Sequence, residues 1–516
     1  MSNWGGTDAA CLKKAIDDIF SEKGCLPMKE YATKLVAATA DGASVNMGRI
    51  SGLMTRLGEN RDWLVKIHCI NHCVELAVKD AFKDSKFKEI DDFYQANHSL
   101  LKASGKIKNE VENAATALGI QAYALTKLKG TRFIGHRFGA YTRLLDMWPA
   151  FDTAYENVVS DKRTKEETKA KVRGLLSKFR NYRFLAYTCC YLDLLEKAKP
   201  SSKVFEGVGL LPFEIWPCAQ QTIDELSELI TESVEEGLDS NLRRYRIATD
   251  DSGDTTVTCE FTRKGDNLQK ENCRSPVTIT MREMKNVRQA VKEEALRQRS
   301  VTGEKLIEAM EERLETYDDG VFSTMKWFDP KQWKDDKDYG IPEITAFAEI
   351  FETPLRKTNF DLSKAIKEWK SFKKYVQYHA YGIEARKLWQ NMLCYRADEY
   401  PNLCILAQIM IAISGSNSSV ERAFSILRML LSDRRLRMSH SAMEMRLRIA
   451  INDNIWTEGE RADILERATE LYLSKSRKRK LDDENDTSKK PRLEKEDEDE
   501  ETSDEEESDD DYTFFE

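Results

Sequence analysis

Apolar positions in residues 1–85 follow two different periods. Residues 8–20 place Leu12, Ile16, Ile19 and Phe20 at three- and four-residue steps, the spacing of one helical face. Residues 34–40 (KLVAATA) form a short apolar run that stops at Asp41-Gly42, as a buried strand ending in a turn does. Residues 63–68 (WLVKIH) predict a second strand, and 74–82 a helix after it. Strands separated by helices predict an α/β sheet.

From about 90 to 240 the pattern becomes helical, with 172–195 and 222–238 carrying apolar residues at helical spacing. Gly, Asp, Thr and Asn interrupt it over 241–282, where alternation at 255–261 predicts a short strand pair or an exposed loop. Helix resumes over 283–316, rich in Glu, Lys and Arg. The segment 327–340, opening on Trp-Phe-Asp-Pro, reads as a connector, and 341–473 as a closing helical block. No internal repeat of fixed period is present. The expected division is 1–90 (α/β), 91–340 (helical), 341–473 (helical) and 474–516 (a disordered basic and acidic tail).

Composition sharpens this division. A chain of 516 residues exceeds one ordinary domain, and 41% hydrophobic residues suffice for a substantial core. The net charge of -9 is unevenly spread: 482–516 hold 19 acids against 4 bases (-15) and 475–481 add +5, which leaves about +1 (-9 + 15 - 5) on 1–474. Like-charged blocks bury too little apolar surface to order themselves, hence the expected disorder after Ser474. Eleven irregularly spaced cysteines do not suggest a disulfide framework. No signal-peptide pattern opens the sequence, and the longest apolar run, 403–413, is too short to span a bilayer. A soluble intracellular protein with no membrane partner is expected.

Four segments carry candidate chemistry. Asp41 follows a buried strand, where α/β sheets place catalytic carboxylates, although Asp-Gly is also an ordinary turn. In HCINHC (68–73) four metal-ligand types fall within six residues, but no second Cys/His pair follows at zinc-site spacing, so no metal site is assigned. The pair Cys69 and His72 can instead position groups beside an active site. In TRFIGHR (131–137), Arg132 and Phe133 suit stacking and phosphate contact, and equally a helix start with one buried ring. In SNSSVERAFS (416–425), Ser418 and Glu421 have capping-box spacing. The helix opened there aligns Val420, Phe424, Leu427 and Leu431. With the run 403–413 and the amphipathic stretch 442–451, this exceeds the apolar face a small domain needs, which suggests a subunit interface over 403–452.

Taken in order, these segments resemble the hAT transposase family. DGASVNMGRISGL resembles its second catalytic aspartate block, WLVKIHCINHCVELAVKDAF its Cys-x-x-His segment, and GTRFIGHR its Arg-Trp segment. SNSSVERAFSILRMLL with RLRMS resembles its C-terminal dimerisation region. The likeness covers about 5–460 and is nearest to domesticated hAT-derived zinc-finger-type proteins. It implies a ribonuclease-H-like core interrupted by a large helical insertion. It also implies three acids holding two divalent metals, Mg or Mn, for in-line attack on phosphorus. By motif position Asp41 would be the second acid and Glu421 the third.

Two departures bear on activity. Only 40 residues precede Asp41 and they read as one helix and one strand, with Asp8, Asp17 and Asp18 on or beside the helix. The first acid and its strands are therefore expected to be missing, leaving an N-terminally incomplete core with an open sheet edge. Phe133 stands in place of the family's Trp, and no zinc finger precedes the core. The expectation is a catalytically inactive, transposase-derived homodimer with Asp41 and Glu421 vestigial and no cofactor. The alternative is an active hAT transposase represented by a truncated chain. Two basic clusters resemble a bipartite nuclear import signal that importin reads. They are Lys475, Arg477, Lys478, Arg479 and Lys480, then Lys489, Lys490 and Arg492. DNA or chromatin proteins are the further partners expected, the latter through the acidic tract 494–511.

Overall fold

A computed structural model describes residues 8–23, 27–128, 133–207, 210–231, 241–242, 245–249, 255–259, 277–281, 285–431, 439–452 and 457–485. The protein is mostly helical and divides into two compact units, Met1–Ser425 and Ile426–Glu516.

The first unit opens with α1 (Ala9–Asp18), whose first amides are capped by the Asp8 carboxylate through Ala10 N and Cys11 N. The helix gives way to a π-turn at Ile19–Lys23. Leu12 and Ile16 therefore pack inward, while Ile19 and Phe20 of the same expected stripe are exposed. After α2 (Met28–Lys34) come β1 (Ala37–Ala40), α3 (Ser44–Met47), α4 (Leu53–Leu57) and β2 (Val65–His68). The two strands pair in parallel, Ala37 opposite Val65 through Ala40 opposite His68. Period-two alternation sends Ala37, Val65 and Ile67 to the main core. Ala38 and Ala40 face a smaller core of Ala9, Leu53, Met54, Leu57 and Leu64.

Next, α5 (Ile70–Lys83) buries Ile70, Cys73, Val74, Ala77 and Ala81 at helical spacing. Helices α6 (Lys88–Ala103), α7 (Gly105–Ala117), α8 (Phe133–Asp146), α9 (Trp148–Ser160), α10 (Glu166–Phe179), α11 (Tyr182–Glu206) and α12 (Ile215–Thr231) build on it. The long α11 is wrapped by α5, α8 and α12, so apolar residues occupy most of its circumference. Three antiparallel strands follow, β3 (Tyr245–Thr249), β4 (Thr255–Cys259) and β5 (Val277–Met281), with β4 in the middle. The alternation at 255–261 thus marks the central strand of a meander.

The chain continues through α13 (Lys285–Leu314), which lies along α5, α11 and α12. Its Arg299 is buried against Asp193 of α11 at 3.9 Å and donates to the carbonyl of Leu229. The connector 327–340 comprises short turns after α14 (Gly320–Ser323) and supplies Trp327 to a cluster with Trp369 and Trp389. Each of those two indoles donates to a backbone carbonyl, Trp369 to Tyr339 and Trp389 to Phe328. The unit's last helices are α15 (Ile341–Ile350), α16 (Glu352–Leu355), α17 (Leu362–His379), α18 (Ala385–Tyr395) and α19 (Pro401–Ala412). Val36, Tyr141 and Met410 belong to one continuous core.

Helix α19 corrects one expectation. The run 403–413 was assigned to a subunit interface, yet Leu403, Cys404, Leu406, Ala407, Ile409 and Met410 are all buried within the unit. A helix apolar on every side belongs in a core.

The division between the units falls inside α20 (Ser418–Leu430), after Ser425, and α21 (His440–Asn452) and α22 (Glu458–Asn485) belong to the second. There, among the described residues, Met443 alone is buried, while Met445, Ile449, Leu465, Leu471 and Tyr472 are exposed. Disorder was expected from residue 474, but α22 carries on through Asn485. Residues 460–490 contain neither Gly nor Pro and are rich in Glu, Lys, Arg and Leu, all strong helix formers. Residues 486–516, with Lys489, Lys490, Arg492 and the acidic tract, lie outside the described residues.

Candidate functional site

The parallel pair ends its two strands side by side, and the residues just past those ends form the candidate site. Asp41 follows β1, and one carboxylate oxygen accepts from Asn46 Nδ2 at 2.8 Å and from the Ala43 amide at 3.0 Å. Partial burial pushes its carboxyl up, but these two bonds and the nearby His72 and His68 outweigh it, so its pKa lies below the ordinary aspartate value. Gly42 makes the close approach possible, because a Cβ there would lie 2.7 Å from His68 Nε2. Gly52 does the same for the α3–α4 connection, where a Cβ would meet the Gly48 backbone at 2.5 Å. The glycines of DGASVNMGRISGL are thus explained by close approach, Gly42 to the His68 ring and Gly48 and Gly52 to backbone.

The ring of His68, the last residue of β2, lies 5.6 Å from that of His72, tilted by 55°. Burial, then His72 and Arg313, push its pKa below the ordinary histidine value against the pull of Asp41. Its Nε2 is buried without a hydrogen-bond partner among the described residues. Beside it opens a cleft of about 490 Å³ lined by Lys66, His68, Arg313, Tyr317 and Phe322, among others. Tyr317 donates its hydroxyl to the His68 carbonyl, and Arg313 is paired with Asp80 of α5.

The four ligand-type side chains of HCINHC diverge. Cys69 points at the loop before α20, its Sγ 2.9 Å from Asn417 Oδ1, while burial pushes the inward-facing Cys73 thiol up to about 12. Among the described residues no group of three or more His, Cys, Asp or Glu side chains stands close enough to hold a metal ion. Among the described residues the donor set for the implied metal pair is not assembled.

The loop 413–417 docks on the strand ends through Thr39 Oγ1, which donates to the Ser414 carbonyl, and Ile70 N, which donates to Gly415 O at 2.9 Å. This brings the segment bearing Glu421 to the sheet, with Glu421 partly exposed in the first turn of α20. The cap differs from the expected box. Ser418 is the first helical residue, the Asn417 carbonyl accepts from Glu421 N, and Ser416 Oγ accepts from Ser418 N. The Asn417 side chain is spent on Cys69, which moves the cap one residue back.

A family model for the hAT family C-terminal dimerisation region matches residues 363–452. The match runs from α17 to α21 and supports a transposase-related protein with a dimerisation function. Within the matched span, α17 to α19 pack into the first unit's core, whereas α20 exposes Val420 (52%) and Phe424 (58%), with Leu427 half-buried and Leu431 (49%) exposed one residue past the helix.

The remaining expected site residues serve other ends. Arg132 lies outside the described residues, and Phe133 opens α8. Arg137 turns inward to Asp91 at 3.0 Å, and Tyr141 donates to the same carboxylate. The described part of TRFIGHR therefore joins α6 to α8. Sequence reasoning missed Asn46, Arg313, Tyr317 and Asn417. Asn46 had a signal, five residues past Asp41 in the motif, while the others come from hundreds of residues away. No described helix is long and apolar enough to cross a membrane.

Proposed function

We propose that this protein is a transposase-derived nuclear homodimer that acts by binding, without strand-transfer catalysis. The observation that carries the reading is the second unit, in which apolar side chains of α21 and α22 face solvent around one buried methionine, beside a match to a dimerisation region. Exposed apolar surface of that extent calls for a partner. A second copy supplies an identical surface, as two-fold dimers do. The parallel pair β1–β2 with α5 supports a partial ribonuclease-H-like core. The basic run at 475–480 supports an importin-dependent nuclear address, with DNA or chromatin proteins as partners there.

The competing reading, an active hAT transposase using Mg or Mn, draws on Asp41 at the carboxyl edge of parallel strands. Sedimentation velocity over a concentration series, with DNA-strand cleavage assays in Mg and Mn, separates the two. A dimer without cleavage fits the proposal. Cleavage abolished by Asp41→Ala overturns the inactivity, and a monomer at micromolar protein overturns the dimer.

A further inference from the structure

Helix α17 carries a lysine–tyrosine face, none of whose residues belongs to the strand-end site or to α20. Helix α17 carries five lysines, Lys364, Lys367, Lys370, Lys373 and Lys374, against one acid, Glu368. That acid is turned inward, where its carboxylate accepts from Asn402 N and Leu403 N at the start of α19. At about 100° per residue, Lys367, Lys374 and Tyr378 fall on one line of the helix, with Lys364 and Ser371 just beside it. Lys370 and Lys373 turn to one flank, toward Asp338 and the carbonyl of Asp336. Lys364, Lys367 and Lys374 make no ion pair among the described residues.

Two rings complete the face. Tyr378 is 81% exposed and Tyr381, two residues past the helix end, is 89% exposed. Large rings held this far out of the core have neither packing nor a pairing partner within the unit. Lysines tracking a phosphate chain beside rings that stack on bases are the combination that binds single-stranded nucleic acid. The rings favour unpaired bases over a closed duplex, and over an acidic peptide, which would need only the lysines.

We propose that the Lys364–Lys367–Lys374–Tyr378–Tyr381 face of α17 binds single-stranded nucleic acid through phosphate contacts and base stacking. The face lies inside the matched dimerisation region, but none of its residues is on α20 to α22, the helices on which the dimer proposal rests. The test uses the full chain and a labelled oligothymidylate of about 16 nucleotides, followed by fluorescence anisotropy at several salt concentrations. Binding that weakens with salt at a log–log slope of about -2 is expected for three lysine contacts. The double variant Tyr378→Ala, Tyr381→Ala should lose about tenfold or more on the single strand while keeping its affinity for duplex. The triple variant Lys364→Gln, Lys367→Gln, Lys374→Gln should flatten the salt slope. All three proteins should show the same thermal melt by circular dichroism. No binding at low salt overturns the proposal, as does a tyrosine variant that binds like the parent. Equal competition by polyglutamate, or variants that shift the dimer mass instead of the affinity, overturns it in favour of a protein partner.

Discussion

Cys69 Sγ and Asn417 Oδ1 lie 2.9 Å apart although 348 residues separate them in the chain. Cys69 sits at the start of α5, just past β2, and Asn417 immediately precedes α20. Their contact, with Ile70 N donating to Gly415 O, fastens the loop that opens α20 to the edge of the parallel pair. The Cys-x-x-His segment and the C-terminal segment, separate in sequence, form one structural joint.

Removing that joint should loosen the loop selectively. Cys69→Ala should cost about 1 kcal/mol, the worth of one buried hydrogen bond, and speed hydrogen exchange at the Ile70 amide. Denaturant unfolding together with exchange mass spectrometry checks this. Unchanged protection at Ile70 would mean that the loop is held without Cys69.

The glycines of the aspartate block should tolerate substitution unequally. At Gly52 a new Cβ meets the Gly48 backbone, which cannot rotate away, so Gly52→Ala should destabilise by about 1–3 kcal/mol. Gly105, in the first turn of α7, has open space around it, and Gly105→Ala should be neutral or stabilise by about 0.4–1 kcal/mol. Thermal melts of the two variants should move in opposite directions or differ sharply in size.

How much of this was legible in the sequence follows from the range of each interaction. The strands at 37–40 and 65–68 and most helices showed in local apolar periodicity, because burial against one neighbouring layer imprints a period on the chain. Asp41 at a strand end was legible for the same reason. The joint between Cys69 and Asn417 left no local mark, nor did the approach of Arg313 and Tyr317 to His68, since each depends on a fold closing over hundreds of residues. Two local signals were available and misjudged. Leu403 through Met410 is apolar around the whole helix, which marks a core helix rather than a surface one. The Gly- and Pro-free stretch after Ser474 carried a helical propensity that its charge concealed.

His68 makes stability depend on pH. Its folded-state pKa lies below the ordinary 6.5 through burial, then His72 and Arg313, with Asp41 opposing. The unfolded chain therefore binds the proton first, and stability should be fully present above about 6.5 and fall as pH drops toward the folded value. His68→Asn should blunt that fall in chemical denaturation between neutral and mildly acidic pH. An identical pH profile in the variant contradicts the assignment. Asp41, also depressed, adds stability that is fully present above the ordinary carboxylate value and is lost only as pH falls below it.

The buried Arg299–Asp193 pair should be costly to break from one side. Asp193 also accepts from Asn241, so the pair ties α11 to α13 and to the segment before β3. Asp193→Ala strands a buried guanidinium and should cost about 3–5 kcal/mol, whereas Asp193→Leu with Arg299→Met should recover much of it. A double-mutant cycle by urea denaturation gives the coupling. Additive losses would show that the two groups do not depend on each other.

Self-association through the C-terminal helices is the claim on which the functional account turns. Leu427 on α20 and Leu431 one residue past its end follow Val420 and Phe424 in the chain, and placing charge there should prevent burial against an equal surface. Size-exclusion chromatography with light scattering on the full chain measures this directly. The account predicts a mass twice that of one chain at micromolar protein, and a return to one chain with Leu427→Asp and Leu431→Asp. A monomeric parent protein, or a dimer indifferent to both aspartates, contradicts it.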